Sequence, residues 1–415
     1  MASWELSFFC GTAGEQIVRA RVSNRLYSWA MLTAPPTSEM VATRSVVSRA
    51  SDTDSARPPY QPELDALRFF AFLAVFLFHS YRMFSAKSVN VALYDPLSFG
   101  LPVFFLLSSY LITQLLVKER AITGTVHIKA FYIRRILRIW PLYFSFLGGS
   151  YLLGIVSPRF HIEAARLLAF ILLSGNWYVG AFGFGKNPIY PLWSISVEEQ
   201  FYLIWPAVIM LGGRFLKPAA LTIVPLSLCC IALQCVYGAS VDEIWTNSGS
   251  QFLYFAAGTL AAIYFARRPI TKGIAKGLVS IFCGVSAWWV IESLCHLKAQ
   301  GSAPHAVPFV AGYGALAVSC FAILFGFLSL PNYLFPRWIT YLGKISYGLY
   351  VFHKLCQFMV PHLRLHGVVA NIAASLLGTV ACAAFSYQFL EKPFLRLKER
   401  FAFVRSRVPL IAVTR

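Results

Sequence analysis

The chain has 415 residues, 58% of them hydrophobic and 13% charged, with a formal net charge of +19. A soluble domain of ordinary usage is about 25% charged, so much of this surface faces something other than water. The basic residues sit in short loops between apolar runs, which excludes a nucleic-acid partner and fits the positive-inside bias of a membrane protein.

The 9 cysteines form no CxxC pair. Most lie in apolar runs, as Cys229, Cys230, Cys235, Cys283, Cys320 and Cys382 do. They read as small packing residues, and neither a disulfide framework nor a metal site is expected.

Residues 1–60 are rich in Ser, Thr, Ala and Arg and lead into Arg57-Pro58-Pro59-Tyr60-Gln61-Pro62. They hold no run of spanning length. Glu5 and Glu15 bracket the one weakly apolar patch, so no signal peptide is expected. The segment reads as a disordered cytoplasmic tail, or as an over-long gene start preceding Met31 or Met40.

Residues 61–396 read as one membrane domain, and 397–415 as a basic cytoplasmic tail. Apolar runs predict an all-α bundle of about ten transmembrane helices near 66–84, 98–117, 137–156, 196–213, 219–238, 249–266, 278–296, 306–329, 340–360 and 367–389. The short run Leu167–Leu173 is expected to be re-entrant or interfacial. With both termini inside, the cytoplasmic segments collect Lys118, Arg120, Lys129, Arg214, Lys217, Arg267, Arg268, Lys272, Lys276, Arg337 and Lys344. The outer loops hold only Arg82, Lys87, Arg159, Arg166, Lys186, Lys298 and Arg364. Making 167–173 a full span would reverse that bias by placing Arg267 to Lys276 outside.

Ionisable residues within spans are costly and mark candidate sites. The first span carries Asp65, Arg68 and His79. Arg68 and His79 fall on one helix face, roughly 16 Å apart, and Asp65 can pair with Arg68. Imidazole is the side chain best suited to accept a proton near neutral pH; the bland alternative is a packed histidine bonded to a carbonyl.

In the third span, Arg135 and Arg138 share a face beside Arg134. Planar guanidinium donors there suit either lipid headgroups or a phosphorylated cytoplasmic donor. The fourth span begins Pro191-Leu192-Trp193-Ser194-Ile195-Ser196-Val197-Glu198-Glu199-Gln200-Phe201-Tyr202. Ser196 and Glu199 fit a capping box. That leaves Glu198 unexplained, and two adjacent carboxylates need a basic partner or a proton. Either carboxylate could orient His79. His353 is expected in the same cavity, and Lys354 to snorkel. Pro393 is expected to stop the last helix. The Gly180–Gly185 run lacks a following GK[ST] and is not a phosphate loop.

Six segments, in order, resemble the acyltransferase 3 family of membrane O-acyltransferases: ELDALRFFAFLAVFLFH, VFFLLSSYLIT, FYIRRILRIWPLY, PLWSISVEEQFYLIWP, ISYGLYVFH and SYQFLEKPFLRL. The resemblance covers about Pro62 to Arg396. It implies a ten-span core in the plasma membrane that moves an acyl group from cytoplasmic acyl-CoA to a hydroxyl of a cell-surface glycan or glycolipid. Acetyl-CoA is the expected co-substrate, and no bound cofactor is expected. The family's Arg and His match Arg68 and His79, its Arg-x-x-Arg matches Arg135 and Arg138, and its paired Glu matches Glu198 and Glu199. The second-span element departs from the family: Pro102 stands near its Asp position and Ser108-Ser109 replaces Ser-Gly. Some relatives carry a C-terminal hydrolase-like domain, which is not expected here.

The implied chemistry is direct transfer. Arg135 and Arg138, with Arg134, hold the donor phosphates. His79 takes the acceptor proton, Glu198 or Glu199 orients it, and Arg68 binds phosphate or the oxyanion. Asp65, Ser196, Tyr202 and His353 are further cavity candidates. The alternatives are acylation of a small hydroxylated metabolite and, in another class, a transporter whose buried charges form a path.

Overall fold

A computed structural model describes residues 60–85, 91–211, 213–298, 301 and 305–401. The expected N-terminal tail and most of the expected C-terminal tail lie outside these residues. Among the described residues the protein is helical, with no strand.

All ten expected spans are helical. In chain order they are α1 (Pro62–Phe84), α2 (Gly100–Thr123), α3 (Ile128–Val156), α6 (Trp193–Leu211), α7 (Gly213–Val236), α9 (Ser248–Arg267), α10 (Ile274–Cys295), α11 (Ala306–Ser329), the pair α12 (Arg337–Lys344) and α13 (Ser346–Met359), and α14 (Val368–Ser386). The short helices between them are α4 (Ala164–Ile171), α5 (Gly175–Phe182) and α8 (Val241–Thr246), and α15 (Lys392–Glu399) follows α14. Among the described residues, seven helical stretches are long and apolar enough to cross a membrane. Helix α9 is not one of them; it buries Gln251, Leu253, Tyr254, Phe255 and Thr259 among its neighbours. Helix α4 has 8 residues, far short of the roughly 20 a span needs.

Burial separates centre from rim. The most apolar window of Leu93–Thr123 is 67% buried and that of Arg214–Val236 only 17%, so α2 is central and α7 faces outward. Leu226 and Leu233 of α7, Phe282 and Leu294 of α10 and Phe385 of α14 project from this rim as the apolar surface lipid requires.

Three boundaries differ from the sequence reading. Helix α6 begins at Trp193, after a 3-10 turn at Tyr190–Leu192. Pro191 is the second residue of that turn, and Ser194 Oγ donates to the Pro191 carbonyl at 3.1 Å. Ser196 is therefore inside the helix, and the expected capping box is not formed; Ser240 and Glu243 form one at α8 instead. The ninth expected span is divided at Ile345, where Gly343 lies against α1. A Cβ at Gly343 would stand 1.7 Å from the Asp65 carbonyl oxygen, so only glycine permits this approach. Pro393 does not stop the last helix. A π-turn at Tyr387–Glu391 absorbs the lost hydrogen bond and the chain continues as α15.

Contacts between distant segments define the two ends of the bundle. Lys272 Nζ donates to Glu63 Oε1 at 2.8 Å, joining the α9–α10 loop to the start of α1. Arg134 donates to Glu119 Oε2 at 2.7 Å and to the Phe401 carbonyl at 2.8 Å. The start of α3, the end of α2 and residue 401 thus share one end. Arg82 and Asp95, paired through two bonds of 2.9 Å, mark the other end of α1.

Candidate functional site

Two cavities lie along α1. The larger, about 670 Å³, is lined by Asp65, Arg68, Ser108, Arg135, Arg138, Glu198, Tyr202 and Tyr350 among others. The smaller, about 400 Å³, is lined by His79, Arg82, Tyr190, Asp242, Lys298 and Tyr350 among others. Helix periodicity places Arg68 and His79 on one face of α1, and the two cavities meet that face at successive levels.

In the larger cavity Arg68 Nη1 is 2.7 Å from Asp65 Oδ1, and the Tyr60 hydroxyl donates to Asp65 Oδ2 at 2.9 Å. This clamp fixes the arginine at the cavity wall. Arg135 lies over the rings of Phe131 and Tyr202, at 5.4 and 5.3 Å. Its Nε is buried with no hydrogen-bond partner among the described residues. Beneath it, Glu198 Oε1 accepts from both Ser108 Oγ and the Tyr202 hydroxyl, whose oxygens are 2.5 Å apart. The guanidinium lies over the face of the Tyr202 ring, whose hydroxyl bonds the carboxylate, which answers the need for a basic neighbour near the paired glutamates. Arg138 lines the same cavity.

Arg134 also reaches the cavity wall, but its guanidinium is committed to buried Glu119 and the Phe401 carbonyl. The expected donor-binding role for Arg134 therefore gives way to a structural one. Glu199 and Ser196 are not among the residues lining the larger cavity; Glu199 Oε1 and Ser196 Oγ are buried without a hydrogen-bond partner among the described residues.

In the smaller cavity His79 Nδ1 is 3.3 Å from the Tyr190 hydroxyl. No carboxylate among the described residues hydrogen-bonds to His79, so neither Glu198 nor Glu199 orients it as expected. His353 is fully buried behind it, with ring centroids 5.2 Å apart. His353 Nδ1 is 2.5 Å from the Tyr350 carbonyl, and its Nε2 has no hydrogen-bond partner among the described residues. Lys354 does not snorkel: it is 5% exposed, packed over the rings of Tyr190 and Phe358 at 5.3 and 5.1 Å. At the cavity mouth Lys298 Nζ sits 4.1 Å over Trp245. Burial pushes this ammonium down to about 8, against the opposing pull of Asp242.

Sequence reasoning missed Tyr190, Ser194, Ser108 and Tyr350 as site residues. Hydroxyls in aromatic-rich spans carry no periodic signal, although Tyr350 precedes His353 by one helical turn. The Ser109 departure has a structural counterpart: Ser109 Oγ bonds back to the Leu106 carbonyl at 3.0 Å. Gly258 of α9 leaves the space it occupies, since a Cβ there would lie 2.1 Å from that oxygen.

Apolar helices enclosing two charged cavities define an integral, multi-pass membrane protein. The chain belongs to the acyltransferase 3 family, whose model, described as an acyltransferase domain, matches residues 61–390. It is 27% identical over 384 residues to the O-acetyltransferase OatA of Staphylococcus aureus strain MRSA252, covering 86% of this chain and 61% of that protein. It is 27% identical to the peptidoglycan O-acetyltransferase OatA of Listeria monocytogenes strain EGD-e, covering 80% of this chain and 56% of that protein. YrhL of Bacillus subtilis strain 168, provisionally named a peptidoglycan O-acetyltransferase, is 24% identical over 80% of this chain and 55% of its own length. The chain thus spans little more than half the length of these relatives. No solved structure matches it significantly.

Proposed function

We propose that the protein is a membrane O-acetyltransferase that moves an acetyl group from cytoplasmic acetyl-CoA to a hydroxyl of a cell-surface glycan. The names of the relatives make a peptidoglycan-type glycan the first acceptor class to test. The observation that carries the reading is the division of labour along α1: guanidinium groups in one cavity, an imidazole in the next.

The larger cavity takes the donor. Arg135, Arg138 and Arg68 offer charge-assisted donors to the phosphates of CoA. Glu198 acts on Arg135 by holding the tyrosine on which it rests. The cavity lies at the end of the bundle that carries Lys118, Arg134 and Lys398, the basic end that the positive-inside bias assigns to the cytoplasm in a ten-span arrangement with both termini inside.

The acceptor enters the smaller cavity. Tyr190 accepts from His79 Nδ1–H, which leaves the Nε2 lone pair as the base. The acceptor oxygen bonds to the thioester carbon as its proton passes to Nε2. The C–S bond breaks, and the CoA thiolate leaves with a proton returned from the imidazolium. Purified full-length protein, given acetyl-CoA and a soluble peptidoglycan disaccharide, should release free CoA and add an acetyl mass to the sugar. Solute movement across vesicles under a gradient without thioester loss would instead favour a transporter.

A further inference from the structure

Among the described residues, Leu101 and Tyr350 are the two that line both cavities. Both are buried, 6% and 8% exposed, so the partition between the cavities is a single layer of side chains at this point. The Tyr350 ring is tethered. Its hydroxyl is 2.8 Å from Ser194 Oγ and donates to the Pro191 carbonyl at 3.1 Å. Phe104 packs edge-on at 6.1 Å between centroids. The carbonyl of the same residue holds His353, whose ring stands beside His79. A tethered phenol cannot swing aside as a free leucine or methionine would.

On the reading of the chain as an acyl-CoA-dependent transferase, we propose that Tyr350 and Leu101 form the constriction that selects the acyl group by bulk. The acyl carbon must enter this constriction from the donor cavity for its carbonyl to meet an acceptor activated by His79. An acetyl group adds one methyl to the carbonyl. Each further carbon must displace Leu101 or break the tether on the Tyr350 ring. Apolar sites discriminate single methylenes by roughly ten-fold or more when the wall is rigid, and the tether supplies that rigidity.

The test uses the purified full-length chain with acetyl-, propionyl-, butyryl- and isobutyryl-CoA and a soluble peptidoglycan disaccharide, with free CoA and sugar mass as readouts. Wild type should fall roughly a hundred-fold or more from acetyl to isobutyryl, about ten-fold for each added carbon. Tyr350→Ala and Leu101→Ala should each flatten that series, whereas Tyr350→Phe, which keeps the ring but loses its tether, should keep acetyl preferred with a shallower series than wild type. Leu101→Ala leaves the tether intact, so it decides the matter even where Tyr350→Ala fails to fold. A wild type that uses isobutyryl as fast as acetyl, or alanine variants with the wild-type series, overturns the constriction and leaves the proposed function standing. A wild type inert toward every acyl-CoA overturns the donor assignment itself, and the constriction with it.

Discussion

His79 Nδ1 faces the Tyr190 hydroxyl at 3.3 Å, and these two residues are joined by no local element: one comes from α1, the other from the turn before α6. A general base typically contributes about 10²–10⁴-fold to rate. His79→Ala should lose transfer by that order while the protein still inserts and binds acetyl-CoA. Tyr190→Phe removes only the orienting bond, worth about 0.5–1.5 kcal/mol, so kcat should drop by up to about ten-fold with the donor Kd unchanged. Turnover of His79→Ala near wild type would remove the imidazole from the mechanism.

Glu119 and Arg134 form a buried pair, with side chains 1% and 7% exposed. Glu119 also accepts from the His127 backbone N–H at 3.0 Å. Removing one partner of such a pair costs about 3–5 kcal/mol, because the other charge stays buried. Glu119→Ala should therefore lower the thermal midpoint in detergent, and the fraction that stays folded should bind acetyl-CoA as wild type does. Donor affinity lost in step with Arg135→Ala, at unchanged stability, would return Arg134 to the donor site.

Lys298 gives a pH test. Its ammonium is pushed down to about 8 by burial, with Asp242, Glu292 and Asp95 opposing the shift and Arg82 adding to it. An unfolded lysine holds its proton to about 10.4. Between these values the unfolded chain binds more protons, so this residue's cost to stability is full below about pH 8 and fades as pH rises. Lys298→Met should be more stable than wild type at pH 7, with the gap in thermal midpoint narrowing toward pH 10. A gap that widens with pH would mean that Asp242 outweighs burial.

The helices were legible because apolar run length is a one-dimensional property: each expected span falls on a helix, and seven helical stretches among the described residues are long and apolar enough to cross a membrane. Arg68, Arg135, Arg138, Glu198 and Tyr202 stand out in the sequence for a related reason, as charged and hydrogen-bonding groups in apolar helices, and the structure gathers all five at one cavity. What stayed hidden depends on packing between distant helices. Nothing in the spacing of Glu198 and Glu199 reveals that Tyr190, rather than a carboxylate, meets His79. The start of α6 was misplaced because Ser196-Val197-Glu198-Glu199 satisfies the capping pattern, while Pro191 and Ser194 satisfy the helix start in fact. The division at Ile345 follows from Gly343 lying on the Asp65 carbonyl, a contact that no local pattern encodes.

Donor binding and chemistry should separate cleanly in the arginines. Arg135 and Arg138 line the larger cavity while His79 lines the other. Each charge-assisted hydrogen bond lost is worth about 1.5–3 kcal/mol, so replacing both arginines by Ala should weaken acetyl-CoA binding by roughly two or more decades. A truncated thioester lacking the nucleotide phosphates never uses the contact, and its Kd should move little. Lys at both positions should rescue only in part. An ammonium keeps the charge, but it lacks the planar fork and stacks less well on Phe131 and Tyr202. Tyr202→Leu should mimic part of the Arg135 loss, since it removes the ring under the guanidinium and one donor to Glu198. His79→Ala should show the reverse pattern, with donor affinity kept and turnover lost. Isothermal titration of the detergent-solubilised variants with acetyl-CoA measures the first set, and CoA release measures the second. If the double Ala variant binds acetyl-CoA as tightly as wild type, Arg135 and Arg138 serve lipid headgroups or topology, and the donor is held elsewhere.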